Sequence, residues 1–284
     1  MAAATTAAVV SLAGCGDAGS SGTEAPPSAA VGQGCAPVAG DTLVVLTDDK
    51  NLQNTDNVVP AINKKSSSPQ LIAALDKVSA ALDTTKLIAL NKAVDIDRKT
   101  SKAAAQEFVT ANNITAGLEK GPGGQLTVGA ADFSESATLG EIYGLALTGA
   151  GYTVKVQQIG NRELYEPALE KGDVDVVPEY AATMATFLAG KVEGSNAKDP
   201  SSSDLNTTMT NLTALGEKRG LVFGKPSEAQ DQNAFATTGA FAEKYGVKTL
   251  SDLAAKCSGA ATVLGGPPEC PQRPKCQAGL VTTY

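Results

Sequence analysis

The feature that most constrains the fold is an alternation of short apolar runs and longer helical segments that begins after the Gly/Pro breaker at residues 121–124. Strands are predicted over 126–129, 152–158 and 173–177, and helices over 134–149, 162–171 and 180–188. Repeated strand–helix–strand order is typical of a mostly parallel sheet with helices on both faces. The pattern therefore predicts an α/β fold.

The rest of the chain has the same mixture of short strands and amphipathic helices. Further helices are predicted over 69–82, 84–93, 101–112, 204–219, 240–245 and 250–256, and short strands over 42–46, 221–223, 235–236 and 261–264. Apolar residues recur at helical spacing along the helical segments, which indicates faces that pack against a core.

Polar side chains follow each of the three strands of the alternating region. Ser134 and Glu135 follow the first strand, Asn161 and Arg162 the second, and Tyr180 the third. Ligands of such sheets bind beyond the carboxyl ends of the strands, so these residues are expected to line a binding site. For Ser134 and Asn161 the alternative is that they only cap the helices that they precede.

The absence of His narrows the possible chemistry. A chain with no His lacks the commonest general base, the common zinc ligand and every Ser-His or Cys-His nucleophile pair. A net charge of −7 disfavours a nucleic-acid partner. Many enzyme classes are therefore excluded, and we expect no cofactor and no metal. The catalytic alternative is an enzyme that uses Glu135 or Glu179 as a base.

The N-terminus has the pattern of an export signal. Residues 1–14 are small and apolar, and Ser11-Leu-Ala-Gly14 leads into Cys15. This segment resembles a bacterial lipoprotein signal, which implies cleavage before Cys15, a diacylglycerol on its thiol, and a flexible tether over 15–40. The alternative is an Ala-rich chain end with a free Cys15.

Four further cysteines follow, Cys35, Cys257, Cys270 and Cys276, which is an even number in a chain whose N-terminus resembles an export signal. They allow three pairings, of which we predict Cys270 with Cys276 as a short staple and Cys35 with Cys257. A zinc site is the alternative, but tight cysteine pairs and His partners are missing.

Two spaced motifs connect the alternating region to a known family. Residues 128–141, VGAADFSESATLGE, and residues 168–180, ALEKGDVDVVPEY, resemble the substrate-binding proteins of ABC importers for glycine betaine, choline and related osmoprotectants. The resemblance continues over residues 228–237, 244–253 and 265–274, and in transposed order over 43–50, 57–62 and the helices up to 114.

The resemblance implies a two-lobed, periplasmic-binding-protein-like fold of type II. The first lobe would be contiguous over 41–224, with 41–116 similar to the family's C-terminal part and 125–224 to its N-terminal part. The second lobe would be partial, over 225–284, and the chain a truncated form. Both chain ends of the family lie in one lobe, so a permuted order is physically reasonable.

The resemblance also implies a function and a site. The chain would be an extracytoplasmic receptor, lipid-anchored to the outer face of the bacterial cytoplasmic membrane, that delivers a small osmoprotectant-like solute to an ABC permease and its ATPase. Tyr180 matches a Tyr of the family's aromatic cage, whereas Asn233 stands where another cage Tyr is usual. A more polar pocket is therefore expected, formed by Glu135, Asn161, Asp231, Asn233 and Asn57. The alternative function is an envelope lipoprotein that acts as a sensor or adaptor.

Overall fold

The computed structural model describes residues 32–194 and 196–284, so the predicted signal segment, Cys15 and most of the predicted tether lie outside the described residues. The chain forms two compact units. The large unit is contiguous, from Gln53 to Ala234. The small unit combines the described residues up to Leu52 with Phe235–Tyr284.

In chain order, the helices and strands are β1 (Leu43–Val45), β2 (Val58–Asn63), α1 (Pro69–Ala81), α2 (Thr84–Asp95), α3 (Ser101–Ala111), β3 (Gln125–Ala131), α4 (Ser134–Gly149), β4 (Thr153–Gly160), α5 (Arg162–Lys171), β5 (Val176–Tyr180), α6 (Ala181–Glu193), α7 (Leu205–Lys218), β6 (Leu221–Phe223), β7 (Ala236–Thr238), α8 (Gly239–Tyr245), α9 (Leu250–Cys257) and α10 (Gln277–Thr283), with a 3₁₀ turn at Cys270–Gln272.

The large unit is built on a sheet with the strand order β4-β3-β5-β2-β6. β3 is parallel to both β4 and β5, whereas β2 is antiparallel to both β5 and β6. Helices cover both faces of this sheet: one core packs against α1 to α4, and a second against α5 to α7. The α/β class predicted from the sequence is confirmed.

β2 is a strand that the sequence analysis does not predict. All its residues are buried, because helices cover both faces of the sheet at this position. Its central residue, Pro60, argues against a strand when the sequence is considered alone. In the structure Pro60 lies opposite Pro178 of β5, so the two missing amide donors fall at the same place in the ladder.

The small unit contains the antiparallel pair of β1 and β7, α8 to α10, and two disulfides. The disulfides join Cys35 to Cys257 and Cys270 to Cys276, which is the pairing expected from the sequence. Cys35 is buried in a core with Phe241 and Leu250.

Three details of the small unit differ from the sequence analysis. The predicted first lobe begins at residue 41, but β1 pairs with β7 and belongs to the small unit. The predicted tether extends to residue 40, but the buried Cys35 is fixed by its disulfide. The strand predicted over 261–264 is absent, and Val263 is exposed instead of joining a sheet.

Within the described part of the chain, the helices are all too short or too polar to cross a membrane.

Candidate ligand-binding site

Three helices of the large unit begin where three strands end. β3, β4 and β5 run into α4, α5 and α6, and the N-cap residues are Phe133, Asn161 and Tyr180. None of these three side chains makes a capping hydrogen bond. Elsewhere in the unit, the N-cap side chains of α1, α2, α3 and α7 do bond to the helix. The helix starts at the ends of β3, β4 and β5 therefore differ from the other four helix starts of the unit, which are capped by a side chain.

This geometry removes the capping alternative for two predicted site residues. Ser134 is not the N-cap of α4, because Phe133 occupies that position. Asn161 is the N-cap of α5, but its side chain does not cap the helix, and its Oδ1 is buried without a hydrogen-bond partner among the described residues. Both residues lie at the strand ends where the sequence places them.

Glu135, in the first turn of α4, is the centre of a polar cluster. Its side chain is nearly inaccessible, at 6% exposure, although it is a carboxylate. The Tyr180 hydroxyl donates to Oε1, and Asn91 Nδ2 of α2 donates to Oε2. Both carboxylate oxygens are thus held by donors from other elements, which fixes the direction of the side chain.

A second carboxyl lies beside Glu135. Asp231 is on the segment after β6 and interacts electrostatically with Glu135. Its backbone N–H donates to Asp56 O at 3.0 Å. Burial raises the pKa of Glu135, although Asn91 and Tyr180 donate hydrogen bonds to it. Asp231 is exposed, but desolvation still raises its pKa, and the charge of Asp56 adds to this shift. Both carboxyls are therefore short of compensating positive charge.

Two aromatic rings adjoin the carboxyl pair. The rings of Phe133 and Tyr180 have centroids 6.5 Å apart and planes inclined by 26°. Tyr180 is buried, whereas Phe133 is 45% exposed, so Phe133 presents a ring to solvent at the edge of the site. Anionic oxygens next to aromatic faces form an environment that attracts a cation.

Arg162, predicted as a ligand-binding residue, is engaged within the protein. Its Nε and Nη2 donate to the two oxygens of Glu179 at 2.8 and 2.7 Å, and Nη2 also donates to Thr183. Tyr165 donates to the same Glu179 at 2.7 Å. Glu179 is fully buried in this network. Arg162 therefore supports the ends of β5 and α5, and Glu179 is not a free general base.

Asp56 and Asn57, just before β2, organise the neighbouring backbone. Asp56 Oδ1 accepts the N–H groups of Ala182 and Thr183 and so caps α6 from outside the helix. Burial raises the pKa of Asp56 to about 6. Asn57 Nδ2 donates to Ser227 O at 2.8 Å. These contacts hold the segment that carries Asp231.

The structure brings three of the predicted site residues together, namely Glu135, Tyr180 and Asp231. Asn233 is exposed on the same segment as Asp231. Sequence reasoning missed Asn91, which bonds Glu135 from 44 positions earlier in the chain. Its signal was present: Asn91 falls on the apolar stripe of α2 together with the buried Leu87 and Leu90.

Among the residues that the structure describes, no group of three or more Cys, Asp and Glu side chains is placed to hold a metal ion.

Comparisons with known proteins give one family. The model of the substrate binding domain of the ABC-type glycine betaine transport system matches residues 36–111 and 124–284. No curated protein sequence matches the chain.

Solved structures show distant likenesses. The binding protein AgaA with agropinic acid, from A. tumefaciens R10, is 13% identical with a TM-score of 0.35, covering 70% of this chain and 48% of that one. The Escherichia coli murein tripeptide binding protein MppA is 12% identical with a TM-score of 0.34, covering 77% and 49%. The substrate-binding domain of an oligopeptide ABC transporter from Bacillus anthracis str. Ames is 11% identical with a TM-score of 0.32, covering 69% and 50%. This chain spans about half the length of these structures, and likenesses this low carry no argument.

Proposed function

Because the chain belongs to the family of substrate-binding domains of ABC-type glycine betaine transport systems, we propose that it is the solute-capturing component of an ABC importer. It would take up a small osmoprotectant-like solute of the glycine betaine, choline or proline class and deliver it to a permease coupled to an ATPase. In this role the protein is extracytoplasmic.

The family assignment confirms the resemblance drawn from the two motifs. Together with the two compact α/β units, it also confirms the predicted periplasmic-binding-protein-like fold of type II. The family consists of solute-binding components and not of enzymes, which agrees with the expectation from the sequence.

The observation that supports this solute class is the combination of Glu135, Asp231 and the rings of Phe133 and Tyr180 at one strand-end edge. A positively charged nitrogen is attracted both by carboxylates and by the faces of aromatic rings. Every solute of the class carries such a nitrogen. We propose that these four residues contact it, with Ser134 and Asn161 at the periphery of the site.

A thermal-shift screen tests the proposal. The protein from residue 15 onward, with Cys15→Ser, is melted with glycine betaine, choline, carnitine or proline. A solute at one hundred times its dissociation constant should raise the free energy of unfolding by about 2.7 kcal/mol. Phe133→Ala should weaken binding about fivefold through loss of the exposed ring. Ile88→Ala, at another exposed apolar position, is the matched control.

One result of this screen would contradict the proposal. A cooperative melting transition that no solute shifts would contradict the receptor function and favour a sensor or adaptor role.

We further propose that Cys15 carries the lipid anchor, on the basis of the lipoprotein-like segment that precedes it. Cys15→Ser should move the exported protein from the membrane fraction to the soluble fraction and abolish labelling by a fatty-acid probe. Retention of the label in the variant would contradict lipidation at Cys15.

A further inference from the structure

We propose that the site selects a cation that carries N–H donors over the fully methylated ammonium of choline or glycine betaine, with Glu135 and Asn91 as the specificity-determining residues. This inference rests on the proposed function and defines the substrate class of the same site.

The charge of the site favours a cation. Glu135 is buried and held by donors from Asn91 and Tyr180, and the exposed carboxyl of Asp231 interacts with it. Desolvation raises the pKa of both carboxyls. The guanidinium of Arg162, from the adjacent strand end, is bonded to Glu179 and cannot neutralise them. A cationic solute would supply the missing positive charge. An N–H-bearing ammonium can approach a carboxylate as a hydrogen-bond donor, at shorter range than a nitrogen surrounded by methyl groups.

The amide of Asn91 leaves one hydrogen-bond acceptor without a partner among the described residues. Asn91 Nδ2 donates to Glu135, which sets the orientation of the amide. Its Oδ1 then remains as a buried acceptor without a partner among the described residues. Asn161 Oδ1 is likewise buried and has no hydrogen-bond partner there. A buried acceptor left unsatisfied is costly. An ammonium with N–H groups can satisfy it, whereas a quaternary ammonium has no donor on nitrogen.

The arrangement of the two aromatic rings also disfavours a fully methylated ammonium. A methylated ammonium is best held when aromatic faces surround it. Here Phe133 and Tyr180 are inclined by only 26° and stack on one another. Tyr180 is 8% exposed, so a solute meets mainly the Phe133 face. In the large unit, the rings therefore form one wall beside the carboxyls of Glu135 and Asp231, and not a cage.

The experiment is a methylation series measured by isothermal titration calorimetry on the full chain. Ethanolamine, N-methylethanolamine, N,N-dimethylethanolamine and choline share one positive charge and one hydroxyl, but their N–H groups decrease to none. Glycine, sarcosine, dimethylglycine and glycine betaine form the parallel zwitterionic series. The dissociation constant should rise along each series, with choline about tenfold weaker than ethanolamine.

Two variants assign the selectivity to residues. Asn91→Leu should flatten the series to within about twofold, because the unsatisfied acceptor is gone. Asn211→Leu, on α7 with its amide bonded to Pro200 O, is the matched control and should leave the series unchanged. Glu135→Gln should weaken every cation of the first series about tenfold. Glu141→Gln, on the same helix, is its control.

The outcomes are distinguishable. If choline binds as tightly as ethanolamine, or if Asn91→Leu keeps the slope of the wild type, the inference is overturned while the receptor function stands. If neither series binds, and carnitine and proline do not bind either, the proposed function fails and the inference fails with it.

Discussion

Tyr180 joins two parts of the candidate site. It is the last residue of β5, its hydroxyl donates to Glu135 on α4, and its ring stacks against Phe133. A single side chain thus orients the carboxylate and supports the exposed aromatic face. Its hydroxyl and its ring can be tested separately.

Tyr180→Phe removes the hydroxyl and keeps the ring. We expect affinity for a cationic solute to fall about three- to tenfold, because Glu135 loses a donor that fixes its direction, and stability to fall by about 1 kcal/mol. Calorimetric titration and urea unfolding measure the two effects. Tyr152→Phe is the control, since its hydroxyl bonds Ser68 at 2.7 Å away from the site. Equal losses of affinity in both variants would contradict the orienting role.

Glu166, on α5, is a buried carboxyl outside the site. It has no exposed surface, its oxygens have no hydrogen-bond partner among the described residues, and Lys191 Nζ lies 3.8 Å away. Burial raises its pKa from 4.5 to about 8. The folded protein therefore holds a proton that the unfolded chain releases between these pH values. This contribution to stability is fully present below about pH 4.5 and is lost as the pH rises through 8.

Glu166→Gln should remove this dependence on pH. We expect the free energy of unfolding of the variant to exceed that of the wild type by about 1–2 kcal/mol at pH 9. Near pH 5 the two values should match, because Glu166 is protonated in the folded wild type. Urea unfolding at both pH values measures the difference. Glu170→Gln is the control, and its effect on stability should be in the opposite direction. Despite desolvation, the neighbouring carboxyl of Glu166 and the hydrogen bonds from Arg219 lower the pKa of Glu170, so this control should lose stability at neutral pH. A pH-independent difference for Glu166→Gln would refute the assignment.

At the scale of elements, close packing of α4 on the sheet positions Glu135. Gly140 and Gly144 lie on the face of α4 that touches the sheet. A Cβ at Gly144 would lie 2.8 Å from a methyl group of Val156 on β4, which is too close without a shift. Gly190 of α6 has open space around its Cα instead. The two positions separate helix propensity from packing.

Gly190→Ala should stabilise the protein by about 0.5–1 kcal/mol through helix propensity. Gly144→Ala has the same propensity gain but should give no net gain, or a loss, because α4 must move away from β4. Chemical unfolding of both variants measures the contrast. Equal stabilisation would show that α4 has room to move.

At the scale of the whole molecule, the disulfides distinguish the two units. All four disulfide cysteines belong to the small unit, and the sequence has no Cys from 53 to 234. The large unit is one continuous segment with two cores, whereas the small unit joins two segments that are far apart in the chain. The disulfide between Cys35 and Cys257 connects these segments across 222 residues.

Reduction should therefore act on one unit. With dithiothreitol, the small unit should lose about 2–5 kcal/mol of stability, while the large unit keeps its stability. Calorimetric melting with and without reductant, or hydrogen exchange of each unit, measures this. Reduction that destabilises residues 53–234 equally would contradict two separable units.

Much of the fold follows from the sequence by itself. The helix of the α4 region is predicted over 134–149 and observed at Ser134–Gly149, and α5 is predicted as closely. Apolar periodicity and helix starts depend on neighbouring residues, so they can be read locally. The same rule of strand ends selects Glu135 and Tyr180 before any contact is known.

Other features were decided by the tertiary structure. Asn91 and Glu135 are 44 positions apart, and Asp56 caps α6 from 126 positions away. Likewise β2 becomes an interior strand despite Pro60, and Arg162, predicted to bind a ligand, is bonded to Glu179. Local patterns determine which element a residue joins, but pairing of polar groups depends on which elements pack together. Which elements pack together is decided by burial of side chains over the whole sheet. In that packed interior, side chains that are distant in sequence lose contact with water, so their polar groups need partners.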